Sequence, residues 1–244
     1  GHVLGLERIQ LYVQHDRPLM PAEIAAYRSA IARRAKREPV AYIVGKREFY
    51  SLSLKVDRRV LVPRPETELL VSEVLAELDA RFPGSERPAV ADIGTGSGAV
   101  AVALAARHPG VRVVATDIDP QALAVAGENT AAHGLAQRIE LRPGDLFAPL
   151  GGERYHAIVS NPPYVSEGEW RELAPEVRVY EPKRALVGGA DGLEVVRRLV
   201  RGAAAFLADV GFLALEIGAG QAAAVGRMAQ EAGYRDCRVA KDLA

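Results

Sequence analysis

The chain is poor in cysteine, carries no excess of charge and has no long hydrophobic run. Cys237 is its one cysteine among 244 residues, which excludes an intrachain disulfide framework and any multi-cysteine zinc site and fits a reducing compartment. The 31 basic and 31 acidic residues cancel, which argues against a surface coated for nucleic acid. No apolar run approaches the roughly 18 residues of a membrane span, and no signal peptide is recognisable. We expect a cytoplasmic protein.

The chain does have the length and the apolar content of one large folded domain with a small appendage. Its composition is 49% hydrophobic, which is enough to form a sizeable core at this length. The histidines do not show the spacing of metal ligands, and we expect no metal site. They are scattered along the sequence at His2, His15, His108, His133 and His156.

The sequence pattern divides the chain into three parts. Residues 1–39 are predicted to be a partial helical domain, whose main helix starts at Pro21 and runs to Arg37, before Pro39. Residues 40–63 alternate and predict a β-hairpin linker that turns near Ser51. Residues 64–244 alternate between strands and helices, as in a mostly parallel α/β sheet. The predicted strands are 89–93, 111–116, 138–141, 156–160, 211–216 and 235–240, the helices are 67–78, 99–107, 120–133, 193–207 and 221–232, and a loop is expected at 83–85.

A glycine-rich loop follows the first predicted strand of the sheet. Glycines there let the backbone approach a ligand closely and adopt positive φ. Asp117 ends the second strand, 23 residues after Gly94, near the spacing of a carboxylate that binds ribose hydroxyls. We expect an adenosine ribose between the tips of these strands. The predicted contacts are Asp92, Gly94, Thr95, Gly96, Ser97, Gly98, Asp117 and Ile118.

The loop alone leaves the cofactor open. Gly94-x-Gly96-x-x-Ala99 also fits the dinucleotide fingerprint, so NAD is a rival. Asp92, two residues before the first glycine, would repel a pyrophosphate but attract the ammonium of a methionine moiety. The loop also contains no Lys, Arg or His for a phosphate. Both features favour S-adenosylmethionine.

Two further strand ends carry polar groups. After the third predicted strand, Asp145 could accept from an adenine amine while Leu146 or Phe147 packs on the ring. After the fourth strand comes Asn161-Pro162-Pro163-Tyr164. Consecutive prolines cannot continue a strand, so the chain leaves the sheet at the edge where α/β proteins bind ligands. An amide side chain, a backbone carbonyl and an aromatic face suit a planar amide or amine.

Together these motifs resemble the class I S-adenosylmethionine-dependent methyltransferases that act on amide or amine nitrogen, which have a Rossmann-like, doubly wound sheet. Two further pairs of segments are similar to the linker signature of the HemK-type (PrmC-type) protein-glutamine methyltransferases. They are residues 47–52 with 60–70 and residues 176–182 with 185–193. The resemblance covers nearly the whole chain.

The resemblance implies methylation of the glutamine in the Gly-Gly-Gln motif of peptide-chain release factors, with S-adenosylhomocysteine as the second product. It implies that Asn161 and the Pro162 carbonyl hold the amide hydrogens, Pro163 stiffens the loop and Tyr164 packs on the amide. Asn161 is also an expected cofactor contact, and Arg64, Glu66, Thr67 and Glu216 are candidate substrate contacts. We expect a monomer that binds a release factor, with transient ribosome proximity and neither a stable nucleic-acid complex nor a membrane partner.

The chain departs from the family pattern at both ends, and other functions stay open. Family members have a longer N-terminal helical domain and a last strand between strands five and six, so we expect the native protein to be longer.

A ribosomal-protein glutamine or an exocyclic amine of a nucleic-acid base are alternative acceptors. The second is favoured by eleven Lys/Arg against three acidic residues between positions 28 and 64. A NAD-dependent oxidoreductase and a non-catalytic binding module are weaker alternatives.

Overall fold

The computed structural model describes residues 1–83 and 87–241, so the predicted loop at 83–85 lies mostly outside the described residues. The N-terminal part is helical, with α1 at Arg8–Val13, α2 at Pro21–Ala35 and α3 at Val40–Val44. Pro21 takes the first helical position of α2, as the sequence predicts. The helix ends before Arg37, which adopts a positive φ of 69° that an α-helix does not allow.

A β-hairpin joins this part to the rest of the chain. Its strands, β1 at Lys46–Phe49 and β2 at Leu52–Lys55, pair antiparallel. Tyr50 and Ser51 both have positive φ, as a two-residue hairpin turn requires, and the predicted turn near Ser51 is confirmed. The linker is not wholly β, because α3 precedes the hairpin.

A parallel sheet forms the centre of the described chain. Its strands are β3 at Ala89–Ile93, β4 at Arg112–Asp117, β5 at Ile139–Pro143, β6 at Tyr155–Ser160 and β7 at Leu207–Leu215. They lie in the order β5-β4-β3-β6-β7, and all four adjacent pairs are parallel. The order reverses between β3 and β6, which is where doubly wound sheets bind ligands. The predicted Rossmann-like fold is confirmed. The helices around the sheet are α4 at Thr67–Arg81, α5 at Ala99–Arg107, α6 at Pro120–Ala132, α7 at Glu167–Glu172, α8 at Pro175–Arg178, α9 at Glu194–Ala203 and α10 at Ala222–Glu231.

Apolar side chains on both faces of the sheet hold these layers together. On one face, Val90 and Val113 pack with the buried apolar residues of α5 and with Leu78 of α4. On the other, Ile158 packs with Leu199 of α9. Parallel strands buried on both faces explain the near-continuous apolar runs in the sequence. Among the described residues, no helix has the length and apolarity needed to cross a bilayer.

The predicted strand at residues 235–240 is wrong. In the described part of the chain this segment follows α10 as irregular, exposed backbone, and Arg238 contacts Glu73 and Glu77 of α4 through ion pairs. A strand needs a hydrogen-bonded neighbour, and no strand of the described sheet pairs with this segment. The sequence also did not predict the short helices α7 and α8 between β6 and α9.

One buried side chain connects the hairpin to the sheet. Asn129 of α6 is 1% exposed. Its Oδ1 accepts from the Lys55 N–H at 2.7 Å, and its Nδ2 donates to the Lys55 and Ser97 carbonyls at 3.0 and 2.8 Å. The hairpin strand β2 and the glycine-rich loop are therefore held by the same amide.

Candidate active site

A cavity of about 560 Å³ lies at the carboxyl ends of β3, β4 and β6. That volume is typical of a site for a nucleoside-sized ligand. The glycine-rich loop, Asp92, Asp117, Leu146 and Asn161 all line it. The topology thus brings together residues that the sequence predicted separately at successive strand ends.

The glycine-rich loop forms the floor of this cavity. The Gly94 and Thr95 N–H groups donate to the Thr116 carbonyl at 2.8 and 2.9 Å, which fixes the loop to the end of β4. Gly94 and Gly96 have φ of 73° and 56°, and a Cβ on either would meet no atom within 4 Å. At Gly98 a Cβ would lie 3.1 Å from the Ala126 side chain. The first two glycines therefore leave open space for a ligand, whereas the third allows close packing of α5 on α6.

Asp92 is a buried carboxyl beside the loop. It is 1% exposed and accepts from the Thr95 hydroxyl at 2.6 Å. Burial, with a smaller contribution from the charge of Asp117, raises the pKa of Asp92 to about 7, against the hydrogen bonds from Thr95 and the Ala101 N–H. A buried carboxyl of this kind favours a cation as its ligand.

Asp117 ends β4 with both carboxylate oxygens held by backbone. Oδ2 accepts from the Gly96 N–H and Oδ1 from the Asp119 N–H, each at 2.9 Å. Burial raises the pKa of Asp117 despite these two bonds. The neighbouring Ile118 is 60% exposed and lines the cavity, which provides an apolar surface beside a fixed pair of acceptors.

The residues after β5 are placed only partly as the sequence predicts. Asp145 lines the cavity but forms an ion pair with Arg198 of α9. Leu146, with a φ of 47°, lines the cavity as well. Phe147 instead stacks on Phe206, with ring centroids 5.2 Å apart, in the core beneath α9. The expectation that Phe147 contacts the cofactor is therefore corrected, because its ring is held on the core side of the strand end.

Asn161 lies where the cavity meets the start of α4. Its Nδ2 donates to the Thr67 hydroxyl at 2.9 Å, which leaves Oδ1 as the acceptor of the amide. Pro162 and Pro163 follow along the same wall. Tyr164 turns to a second cavity, of about 610 Å³, that is bordered by α4, β7 and α10. Asn161 and Tyr164 thus lie on either side of the same short wall.

Glu216 follows β7 and faces Tyr164. The Tyr164 hydroxyl donates to its Oε1 at 3.2 Å, while Oε2 is buried and has no hydrogen-bond partner in the described chain. Burial raises the pKa of Glu216, and the nearby polar side chains of Thr67, Tyr164 and Asn161 act in the opposite direction. Burial and the Glu216 carboxylate also raise the pKa of Tyr164 to about 12.

The other candidate substrate contacts are placed differently. Arg64 borders the first cavity, but its guanidinium donates to Glu181 at 2.7 Å. Glu181 is buried and also accepts from the Val62 N–H at 3.0 Å. Glu66 borders the second cavity. Arg64 therefore anchors the linker to the segment after β6.

Sequence reasoning missed three residues that shape the wall. A Cβ on Gly188 would lie 2.2 Å from the Pro163 carbonyl oxygen, and one on Gly192 would lie 2.2 Å from that of Tyr164. The Gln221 side chain donates to the Tyr164 carbonyl at 2.9 Å and accepts from the Gly218 N–H at 2.9 Å. Both glycines lie in the segment 185–193 that resembles the family signature, but the sequence alone did not show which backbone atoms they contact.

Comparison with known proteins places this geometry in a family. Residues 66–191 match the "Methyltransferase small domain" model and residues 1–45 match "PrmC N-terminal domain". A release factor glutamine methyltransferase of Geobacter sulfurreducens is 47% identical over 98% of this chain and 81% of its own length. One from Cereibacter sphaeroides is 45% identical over 100% of this chain and 84% of its own.

The chain belongs to the release factor glutamine methyltransferase family. It is an S-adenosylmethionine-dependent protein-glutamine N-methyltransferase, and the family expected from the linker segments is confirmed. A solved methyltransferase from Pyrococcus furiosus has the same fold, with a TM-score of 0.58 and 18% identity over 88% of this chain and 93% of that one. The domain boundaries 1–39, 40–63 and 64–244 stay predictions for this methyltransferase, as do the roles of individual site residues.

Proposed function

We propose that this methyltransferase modifies the side-chain amide nitrogen of the glutamine in the Gly-Gly-Gln motif of a peptide-chain release factor. The observation that carries the proposal is the Asn161 amide, whose Nδ2 is bound to Thr67 and whose Oδ1 is left to accept. It stands beside a cavity of nucleoside size. The curated relatives named above support the release factor as the acceptor.

The residues of the first cavity fit S-adenosylmethionine. The Asp117 oxygens suit the two ribose hydroxyls, Ile118 and Leu146 suit the faces of an adenine, and Asp92 suits the methionine ammonium. The open space at Gly94 and Gly96 gives the ligand room against the backbone. When bound, this cofactor supplies an electrophilic methyl group and leaves as S-adenosylhomocysteine.

The chain's own contribution is to orient a poor nucleophile. The amide nitrogen of glutamine has its lone pair delocalised into the carbonyl. In our proposal Asn161 Oδ1 and the Pro162 carbonyl accept its two hydrogens, while Tyr164, which faces the second cavity, supports the far side of the wall. Such positioning is worth up to roughly 7–11 kcal/mol of the barrier in favourable cases. No dedicated general base is needed, because the methylated amide nitrogen is far more acidic.

Cofactor affinity is expected to depend on pH through Asp92. The carboxyl must be ionised to bind an ammonium, and burial holds its pKa at about 7 in the free protein. Affinity should therefore fall by about tenfold for each pH unit below 7 and level off above it. Calorimetry between pH 5.5 and 8.5 measures this, and Asp92→Asn should flatten the profile. A flat profile in the unmodified enzyme would contradict a cation at Asp92.

Labelled S-adenosylmethionine tests the acceptor. The enzyme is incubated with a release factor, with the same factor carrying alanine in place of the Gly-Gly-Gln glutamine, with a ribosomal-protein pool and with nucleic acid. We expect label on the first acceptor and not on the second. Label on the ribosomal pool or on nucleic acid alone would overturn the proposal in favour of that acceptor.

We further propose that the enzyme acts as a cytoplasmic monomer, without a metal and without stable nucleic-acid binding. The proposed acceptor supports the cytoplasmic location, since release factors work at the ribosome. Size-exclusion chromatography with light scattering measures the oligomeric state.

A further inference from the structure

We propose that Gln221 is a positioning residue for methyl transfer, which holds the backbone of the wall from Asn161 to Tyr164. The proposal rests on the proposed function, since this wall carries the groups that would accept the hydrogens of the acceptor glutamine. Gln221 lies at the start of α10, 57 positions after Tyr164. In the described chain it lies outside the lining of the first cavity, so it acts through the wall.

The wall needs support from elsewhere because two of its four residues are prolines. Proline has no backbone N–H, so Pro162 and Pro163 cannot donate a main-chain hydrogen bond. Among the described residues, the main chain of the wall forms one hydrogen bond, in which the Tyr164 carbonyl accepts from Gln221 Nε2 at 2.9 Å. The other hydrogen bonds of the wall are made by the side chains of Asn161 and Tyr164. Gln221 therefore supplies the bond that fixes the backbone.

The orientation of the Gln221 amide is fixed by its other end. Oε1 accepts from the Gly218 N–H at 2.9 Å, and the Gln221 N–H donates to the Gly218 carbonyl at 3.1 Å. An amide turned end for end would place its NH₂ against the Gly218 N–H and its oxygen against the Tyr164 carbonyl, which are two repulsive contacts. The donor is thus held toward Tyr164 by the loop itself.

Two glycines give the Gln221 side chain its access to the wall. A Cβ on Gly192 would lie 3.0 Å from Gln221 Nε2, and one on Gly218 would lie 3.2 Å from both Gln221 Oε1 and a ring carbon of Tyr164. Larger residues at these positions would separate Gln221 from Tyr164. Helix α10 packs through Met228 on the core residues of α9, so the amide projects from a helix that is itself held in place.

The support reaches the acceptor groups through the chain. Tyr164 is two residues from Pro162, whose carbonyl would accept one hydrogen of the acceptor glutamine, and three residues from Asn161. The rings of the two prolines restrict φ, so a displacement of the Tyr164 carbonyl is passed along the wall. Both acceptors then move relative to the methyl donor, and a misplacement near 1 Å costs about a hundredfold in rate.

Gln221→Glu separates this role from a role in the stability of α10. The introduced carboxylate still accepts from the Gly218 N–H, and a negative charge at the start of a helix is favourable. The donor is lost, and an oxygen points at the Tyr164 carbonyl. We expect kcat to fall by about tenfold or more, with the melting temperature and the calorimetric affinity for S-adenosylmethionine unchanged. An unchanged kcat would overturn the proposal.

Gln221→Met removes both hydrogen bonds at similar side-chain length. We expect a loss in kcat similar to that of Gln221→Glu, together with a lower melting temperature. If Gln221→Met alone is impaired, Gln221 serves the stability of α10 and the positioning role fails.

Gln230→Glu is the matched control for the added charge. It makes the same exchange at an exposed position of the same helix and should leave kcat unchanged. A loss as large as that of Gln221→Glu would assign the effect to the charge and contradict the proposal.

NMR tests the hydrogen bond in the protein without cofactor or acceptor. The chemical shift of the Tyr164 carbonyl carbon should change in both Gln221 variants, because the carbonyl loses its donor, and it should stay the same in Gln230→Glu. A Tyr164 carbonyl that does not respond to either Gln221 variant is not held by Gln221, and the proposal then falls.

The outcomes also distinguish the positioning role from the proposed function. If the unmodified enzyme labels an acceptor other than a release factor, the proposed function fails, and kcat of the Gln221 variants is then measured on that acceptor. If the enzyme labels the release factor but Gln221→Glu retains the full rate, the positioning role fails and the proposed function stands.

Discussion

Asn161→Ala is expected to reduce methyl transfer by at least about a thousandfold, because it removes a group that orients the reacting nitrogen and leaves the other cofactor contacts in place. Asn161 Oδ1 is the side-chain acceptor left at the wall between the two cavities. Single-turnover transfer of label to a release factor measures the rate.

Cofactor affinity is the internal control for that variant. The proposed cofactor groups Asp92 and Asp117 hold their own hydrogen bonds to Thr95, Gly96 and Asp119, none of which involves Asn161. Calorimetry should show S-adenosylmethionine binding within a few-fold of the unmodified enzyme. Near-normal turnover would contradict the proposal that Asn161 binds the acceptor glutamine.

Gly192→Ala is the second substitution with a large expected effect. Its Cβ would lie 2.2 Å from the Tyr164 carbonyl oxygen and 3.0 Å from Gln221 Nε2, at atoms that already form a hydrogen bond with each other. The backbone of the Asn161–Tyr164 wall must shift to admit a methyl group. We expect kcat to fall by about a hundredfold, since displacements near 1 Å have effects of that size, and the melting temperature to fall as well.

Gly220→Ala is the matched control for the backbone conformation. Gly220 has a φ of 87°, similar to the 74° of Gly192, but a Cβ there meets nothing within 4 Å. Alanine at 220 should cost only the left-handed strain of about 1–2 kcal/mol in stability, with little change in kcat. Equal activity losses in the two variants would show that strain, rather than contact with the wall, is responsible.

Local motifs explain why much of the fold and of the cofactor site could be predicted. A strand, a glycine-rich turn and a helix follow one another in sequence, so Gly94 to Gly98 and Asp117 occupy the places expected from spacing. The helix Ala99–Arg107 and the strand Ala89–Ile93 agree with prediction at both ends. In such a βαβ unit, the residues that bind the ligand and the turns that position them lie within about 30 residues of each other in the sequence.

Contacts between distant segments explain what could not be predicted. Asn161 and Thr67 are 94 positions apart, and nothing in either segment indicates the other. Phe147 has the right position for a cofactor contact, but a ring on another element, Phe206, holds it in the core. Residues 235–240 follow a helix, where the alternation of strands and helices predicts a strand, but pairing depends on a neighbouring strand that the local sequence does not reveal.

The Asn129 amide has a consequence for how an acceptor gains access. Because it holds both Lys55 of the hairpin and Ser97 of the glycine-rich loop, the linker cannot swing away without disturbing the cofactor floor. The hairpin is thereby held at a fixed distance from the proposed site of the methyl donor. An acceptor protein that docks on the hairpin must present its glutamine on a segment long enough to span this distance. The enzyme would then select acceptors by the length of that segment as well as by its chemistry.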